Sequence, residues 1–324
     1  MAEASGVELV CPRCRPDHQR VLDVELTCPG CGIRHPSVSV GDGPSVAVLL
    51  DDDDAAAGLG ATEQILEGLD QEHFAEALAA HPSEASSLAI FGGAHFGQWA
   101  RPPLSTSSLR WITDALERVP SIPPGPALLL GAATGAEALC LPPSRDVVVL
   151  DGSIVQLAFA SSLAGSDQWL PVQTTPNRWT RRRIELPEPV RARLRKLQWI
   201  AADARQPPLR PGTFAIVLAL NLVDSITHPA VLLQQAQALL APGGGLLLSS
   251  PFNWDDGVTE PSLRLDADVA PGDDHAEGVE ARVQALLPRM RLCWSDRDVP
   301  WSLRIHDRLR CEFSLHAMLL QREA

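Results

Sequence analysis

Four cysteines stand in two close pairs, Cys11-Pro-Arg-Cys14 and Cys28-Pro-Gly-Cys31, with thirteen residues between the pairs. Zinc takes four ligands in a tetrahedron and favours thiolate donors. Two residues between cysteines let both sulfurs of a tight turn face one ion, and Pro12, Pro29, Gly30 and Gly32 suit those turns. Double Cys-x-x-Cys is a specific signal for a metal. Cys11, Cys14, Cys28 and Cys31 are therefore expected to hold Zn2+, with His18 and His35 as bystanders. Four thiolates close the coordination sphere, which points to a structural ion.

A second set of residues suited to chemistry lies further along. Gly131-Ala132-Ala133-Thr134-Gly135 offers small side chains that let the backbone approach a ligand. Asp151 follows, sixteen residues after Gly135, with Gly152 behind it. Asp203-Ala204, Asn221 and Asp224 come next. A carboxylate at a strand end can accept both hydroxyls of a ribose, and a second can accept from an adenine amine.

The elements that must position these residues are legible as apolar runs. Strands are expected at Ala127–Leu130, Asp146–Leu150, Leu197–Ala201, Phe214–Leu220 and Gly245–Ser250, with helices near Ile154–Leu163 and Ala230–Leu240. Continuous apolar strands separated by helices indicate an α/β, doubly wound parallel sheet of Rossmann-like type. Its ligands bind at the C-terminal strand ends, near the switch point. Asp151, Asp203 and Asn221 all fall at such ends. Asp51–Asp54 reads as a solvated acidic linker, because like charges repel. Thr62 then caps a helix, Ser87–Phe91 reads as a short strand before a glycine turn at Gly92, Gly93 and Gly97, and Ser105–Val119 as a helix. His95 and Trp99 are expected to pack. This divides the chain into a zinc module (1–50), an acidic linker with a helical segment (51–104) and a ligand-binding domain (105–324).

The ordered strand-end residues, with Pro242-Gly243-Gly244-Gly245 before the fifth strand, resemble class I S-adenosylmethionine-dependent methyltransferases over Leu109 to Ala324. The resemblance implies that Gly131, Ala132, Ala133 and Gly135 form the loop on the methionine side. It gives the ribose to Asp151 with Gly152 and the adenine to Asp203 and Ala204, and sets Asn221 beside the transferring methyl group. Leu129 replaces the family's usual acid, and Ala133 its central glycine. A nicotinamide dehydrogenase needs a third glycine to pack its helix closely, and Ala138 does not supply it.

Scattered segments resemble the methyltransferase domain of ovothiol-forming enzymes and the carnosine N-methyltransferases. These are Ala219–Asp224, Ser249-Ser250-Pro251-Phe252-Asn253-Trp254, and Asp298-Val299-Pro300-Trp301 with His306 and His316. That likeness implies methyl transfer to a nitrogen of a small amine- or imidazole-containing molecule. The chain has no tyrosine, so any substrate-contacting tyrosine of that subgroup is missing. Asp224 is the candidate to accept or orient a proton, its alternative being a helix N-cap. Trp254 and Trp301 are candidate pocket walls, and His316 is expected to be structural. The first fifty residues resemble the small zinc-ribbon activator proteins that partner methyltransferases.

The net charge of −13 opposes nucleic-acid binding, and no apolar run reaches the length that spans a bilayer. The short, acidic N-terminus and the thiol pairs point to the cytoplasm. Between Arg178 and Lys196, however, eight basic residues face only two acids. Two further readings follow. An RNA methyltransferase, of rRNA or tRNA, would use that arginine-rich stretch on phosphates. A non-catalytic scaffold with a degenerate fold would explain Leu129. Cys140, Cys293 and Cys311 read as buried small hydrophobes.

Overall fold

The computed structural model describes residues 7–14, 20–72, 74–99, 109–119, 121–176, 178–270 and 272–323. The chain order is β1 (Ser37–Val38), β2 (Val46–Val48), α1 (Asp52–Gly68), α2 (Phe74–Ala80), α3 (Pro82–Trp99), α4 (Arg110–Leu116), β3 (Ala127–Leu130), β4 (Val147–Asp151) and α5 (Ile154–Ser162). It continues with β5 (Gln168–Thr175), β6 (Arg178–Ile184), α6 (Glu188–Leu194), β7 (Gln198–Ala201), β8 (Phe214–Leu220), α7 (Pro229–Leu239), β9 (Leu240–Ser250), α8 (His275–Leu286), β10 (Met290–His306) and β11 (Leu309–Arg322).

Nine strands form one sheet in the order β1-β2-β7-β4-β3-β8-β9-β11-β10. From β2 to β9 all neighbours run parallel; β11 joins β9 antiparallel and pairs with β10. The fold is therefore α/β and Rossmann-like, with its switch point between β3 and β8. The sixth parallel strand of a dinucleotide sheet is replaced here by an antiparallel hairpin whose last strand is inserted.

The parallel strands are apolar on both faces because both faces are covered. Alternate residues of β3 serve two separate cores, Ala127 and Leu129 on one side and Leu128 and Leu130 on the other. Each buried leucine stabilises the fold by about 2 kcal/mol. Leu129, the departure at the acid position, is 1% exposed in the first of these cores. All nine residues of α5 are buried, and Ser153 caps that helix, its hydroxyl oxygen accepting from the Gln156 amide.

β2 pairs in parallel with β7, so the backbone ladder runs across the boundary drawn at residue 50. The segment before it is tied to the core through Val10 N to Pro208 O, 2.9 Å, and a bridge between Leu9 and Leu209. A sheet edge left open is a liability, and here β1 and β2 cover the edge of β7.

Several expectations are corrected. Asp51–Asp54 is no linker: Asp51 N-caps α1 by accepting from the Asp54 amide, and the next three acids occupy the first turn. There the positive end of the helix dipole offsets their repulsion. Thr62 sits inside α1, its hydroxyl donating to Gly58 O. Ser87–Phe91 and the glycines after it belong to α3, a short apolar run that periodicity cannot assign by itself. Pro242–Gly245 is a bulge within β9, since Leu240 pairs with Phe214 and the ladder resumes at Ile216 and Gly245. Cys140, Cys293 and Cys311 are half-buried. Of the helix expected over Ser105–Val119, Arg110–Leu116 is α4, while 100–108, His18 and the side chains of His95 and Trp99 lie outside the described residues. Among the described residues no helix is long and apolar enough to cross a membrane.

Candidate functional site

At the N-terminal end, the sulfurs of Cys11, Cys14, Cys28 and Cys31 lie within 4.8 Å of one another. Cys11 Sγ is 3.8 Å from Cys31 Sγ, and Cys14 Sγ is 3.7 Å from Cys28 Sγ. Four sulfurs at the zinc–thiolate bond length in a tetrahedron stand about 3.8 Å apart, so the donor set and its spacing fit that ion. Burial pushes the Cys28 thiol up, but the Cys31 and Gly30 amides and the neighbouring thiols outweigh it and bring it down to about 6. His35 is buried with Nε2 3.6 Å from Cys11 Sγ and lies outside the four-sulfur set.

At the C-terminal ends of the parallel strands, the loop after β3 takes left-handed backbone at Gly131 (φ 62°), Ala133 (φ 50°) and Gly135 (φ 66°). A Cβ on Gly131 would meet Leu222 Cδ1 at 2.4 Å. At Ala133 the left-handed backbone costs about 1–2 kcal/mol, because a Cβ is present.

Asp151 closes β4 and holds this loop. Its Oδ2 accepts from the Ala133 amide at 2.7 Å and its Oδ1 from the Ser153 amide at 2.8 Å. Burial raises its carboxyl pKa, against the pull of the Ser153, Ala133 and Gly152 amides. A carboxylate offers about four lone-pair sites, more than these amides fill. Nothing would crowd a Cβ at Gly152, so there is open space at the residue after Asp151.

Asp203 lies just past β7, but Arg205 occupies it. Arg205 Nε lies 3.0 Å from both oxygens, Nη2 donates to Oδ2 at 2.8 Å, and the Arg205 amide donates to Oδ1 at 2.7 Å. Ala204 beside it is buried.

Asn221 ends β8 in left-handed backbone at φ 53°, with its amide donating to Ser249 O at 2.7 Å. The Ser249 hydroxyl donates to Asn221 Oδ1 at 3.2 Å, which fixes the side-chain amide. Asp224 is 6% exposed in a short 3-10 turn. It is not the N-cap of α7, a place taken by His228. Its Oδ2 accepts from the Asn253 amide at 3.0 Å, and Oδ1 has no hydrogen-bond partner among the described residues. Burial raises its carboxyl pKa, partly offset by its own backbone amide, the Asn253 amide and the Ser250 hydroxyl. The Asn253 contact ties the end of β8 to the loop after β9.

That loop opens a cleft of about 390 Å³ lined by Ser250, Phe252, Asp274, His275, Arg297 and His316 among others. Sequence reasoning missed this cleft, because it joins β9, α8, β10 and β11. Trp254 stands beside it, its ring 6.0 Å from Phe252 and its indole N–H donating to Asp266 at 2.9 Å. Trp301 stacks on Phe313 at 5.1 Å in a small cluster on the β10–β11 hairpin instead.

The arginine-rich stretch folds as the β5–β6 hairpin and α6, and most of its cations are engaged internally. Arg181 donates to the Leu69 and Gln71 carbonyls and lies over the rings of Phe74 and Trp169. Arg183 and Arg191 pair with Asp167. Arg193 is buried and donates to Ala138, Pro143 and Arg145 carbonyls; Arg195 serves Ala164 O and Glu188.

No family model matches the chain, and no curated protein matches it. Its structural neighbours include methyltransferases. A structure from work on converting a disulfide bond into a thioacetal group in echinomycin biosynthesis aligns at 16% identity and TM-score 0.41, over 65% of this chain and 81% of that one. A chain from the complex of the Haloferax volcanii Trm112 methyltransferase activator with a methyltransferase aligns at 13% identity and TM-score 0.40, over 77% and 98%. The CurJ carbon methyltransferase aligns at 16% identity and TM-score 0.40, over 77% and 70%. At these identities and scores the likenesses assign neither acceptor nor activity to this chain.

Proposed function

We propose that this protein is an S-adenosylmethionine-dependent methyltransferase acting on a nitrogen of a small molecule, with a structural Zn2+ held by Cys11, Cys14, Cys28 and Cys31. The observation that carries the reading is the Asp151 carboxylate. It fixes the Gly131–Gly135 loop through the Ala133 amide and keeps acceptor capacity beyond its amide partners, next in the chain to open space at Gly152.

When bound, the cofactor would supply a methyl group on a sulfonium, already primed for displacement. What remains for the chain is positioning. Asp151 would hold the ribose hydroxyls and the Gly131–Gly135 backbone the amino-acid end. Ala204 would pack by the adenine, with Asp203 contributing once its pair with Arg205 opens. Asn221, locked by Ser249, would sit next to the acceptor, and Asp224 would orient the acceptor's N–H through its unpartnered Oδ1. The amine or imidazole class of acceptor rests on the resemblance of Ala219–Asp224 and Ser249–Trp254 to the ovothiol and carnosine enzymes. The internally engaged arginines favour a small acceptor over RNA. The thiol cluster suits a reducing, cytoplasmic compartment. The zinc segment to residue 50, the helical segment to 104 and the catalytic portion from 105 are the units of this reading.

Calorimetric titration of the zinc-loaded protein with S-adenosylmethionine and S-adenosylhomocysteine tests it. One-to-one binding is expected, weakened about 100-fold in Asp151→Ala, which removes two charge-assisted hydrogen bonds. Absence of binding to the intact protein would instead favour the scaffold reading.

A further inference from the structure

The cleft beyond Asp224 contains a histidine arranged as a base. His316 is 6% exposed on β11, opposite Ser250 of β9. Its Nε2 lies 3.1 Å from Glu280 Oε1, and the Ser295 hydroxyl donates to that same oxygen at 2.6 Å. Burial lifts the Glu280 carboxyl, yet Ser295, His316 and Arg297 outweigh it and hold it below the ordinary range. An ionised carboxylate only accepts hydrogen bonds, so the Nε2 atom facing it must carry a proton. In the neutral ring the lone pair then resides on Nδ1. Nδ1 is buried and has no hydrogen-bond partner among the described residues. A carboxylate fixing one imidazole nitrogen so that the other can take a proton is the arrangement of an oriented general base.

The surroundings support the same role. The Phe252 ring meets His316 edge-on at 6.1 Å and His275 at 5.7 Å. Phe252 itself is held in left-handed backbone (φ 50°), with its amide donating to Ser250 Oγ at 2.8 Å. Strain of that kind in a side-chain-bearing residue collects at ligand sites. β9 alone separates the two halves of the site: Asn221 N donates to Ser249 O on one side, and His316 pairs with Ser250 on the other. Two strand spacings are about 10 Å, the span of a small molecule lying across the sheet end.

The geometry points to His316 as the proton acceptor for the methyl acceptor, with Glu280 as its positioning residue and the Ser250–Phe252 cleft as the acceptor's seat. This rests on the methyltransferase reading. The acceptor class it selects is a nitrogen that arrives carrying a proton. In the assigned step the acceptor's N–H bond breaks, its electron pair stays on nitrogen, and the proton bonds to Nδ1. The resulting ring cation faces Glu280 and later yields the proton to water. The charged and titratable groups facing His316 are Glu280 and His275 of α8, Asp274 at the cap of that helix, and Arg297 of β10. Burial lowers the His316 pKa, with Glu280 opposing, so the ring is neutral and competent at neutral pH.

The test uses the full-length, zinc-loaded protein with S-adenosylhomocysteine bound and histamine as probe. Nitrogen-15 spectra of the labelled histidines report tautomer and titration of His316 directly. The expected result is an Nε2–H tautomer with an apparent pKa below 6.5, and a saturable shift of Nδ1 on adding histamine. His316→Asn should cut methyl transfer to histamine at least 100-fold, with S-adenosylmethionine affinity within twofold. Glu280→Gln keeps the hydrogen bond but removes the charge, so the acid limb of the rate profile should move to lower pH. An Nδ1–H tautomer, an imidazolium at pH 7, or no Nδ1 response to histamine would overturn the proposal while leaving the methyltransferase reading intact. Failure to bind S-adenosylmethionine would overturn both.

Discussion

The cysteine cluster and the strand-end cleft are built in opposite ways. The cluster draws its four sulfurs from two short turns, Cys11–Cys14 and Cys28–Cys31, close together in the chain. The strand-end site as a whole draws on Asn221 and Asp224 after β8, Phe252 after β9, Glu280 on α8 and His316 on β11, which only the finished sheet brings together. The first is a local site whose binding energy is folding energy. The second is a non-local site that spends stability on unpartnered groups such as Asp224 Oδ1 and His316 Nδ1. Perturbing the first should therefore change stability more than ligand binding, and perturbing the second the reverse.

The largest effect expected is from metal removal. Cys28→Ser, or a strong chelator, should lower the melting temperature by about 10 °C or more, because the tie of β1 and β2 to the β7 edge is lost. Cofactor affinity should change by no more than about twofold, since the loop after β3 is held by Asp151 and not by the cluster. Thermal melts beside calorimetry decide this; a large loss of affinity would break the separation.

Gly131→Ala tests the strand-end loop. The new Cβ would stand 2.4 Å from Leu222 Cδ1 on left-handed backbone, at a cost of about 2 kcal/mol in urea unfolding. Cofactor binding should weaken with it.

Asp224→Asn sharpens the contrast. The folded-state pKa of Asp224 is raised by burial, so its favourable contribution is present below the unfolded value near 3.8 and is lost as pH rises through the folded one. At pH 7 the buried charge destabilises, and the Asn variant should be about as stable as the parent or up to about 1 kcal/mol more so. That advantage should shrink towards pH 4, while methyl transfer falls at every pH. Denaturant titrations at the two pH values, with a rate assay, check the sign.

The smallest effects belong to the arginine hairpin. Arg181→Ala, which removes a cation held between Phe74 and Trp169, should cost about 1–2 kcal/mol. Exposed Arg182→Ala should change stability by less than about 0.5 kcal/mol. Salt-sensitive RNA binding that Arg182→Ala abolishes would return the RNA reading to first place.

Much of this was written in the chain itself. Ala127–Leu130 and Phe214–Leu220 are strands with the bounds their apolar runs suggest, and Cys-x-x-Cys spacing located the sulfur cluster. These features depend on neighbours within a few residues, where periodicity and spacing carry the signal. Asp151 and Asn221 were legible for the same reason, as polar residues closing apolar runs. Other features were decided by contacts between distant segments. Asp51–Asp54 became a helix start because the dipole of α1 receives it, and Arg205 claimed the carboxylate expected for adenine. The arginines turned inward onto carbonyls of α1 and α5 termini, and His316 met Glu280 only because β11 inserts beside β9 under α8. Such pairings lie 36 residues apart for His316 and Glu280, and 112 for Arg181 and Leu69. Side-chain chemistry at that separation is fixed by strand order and register, which no local pattern encodes.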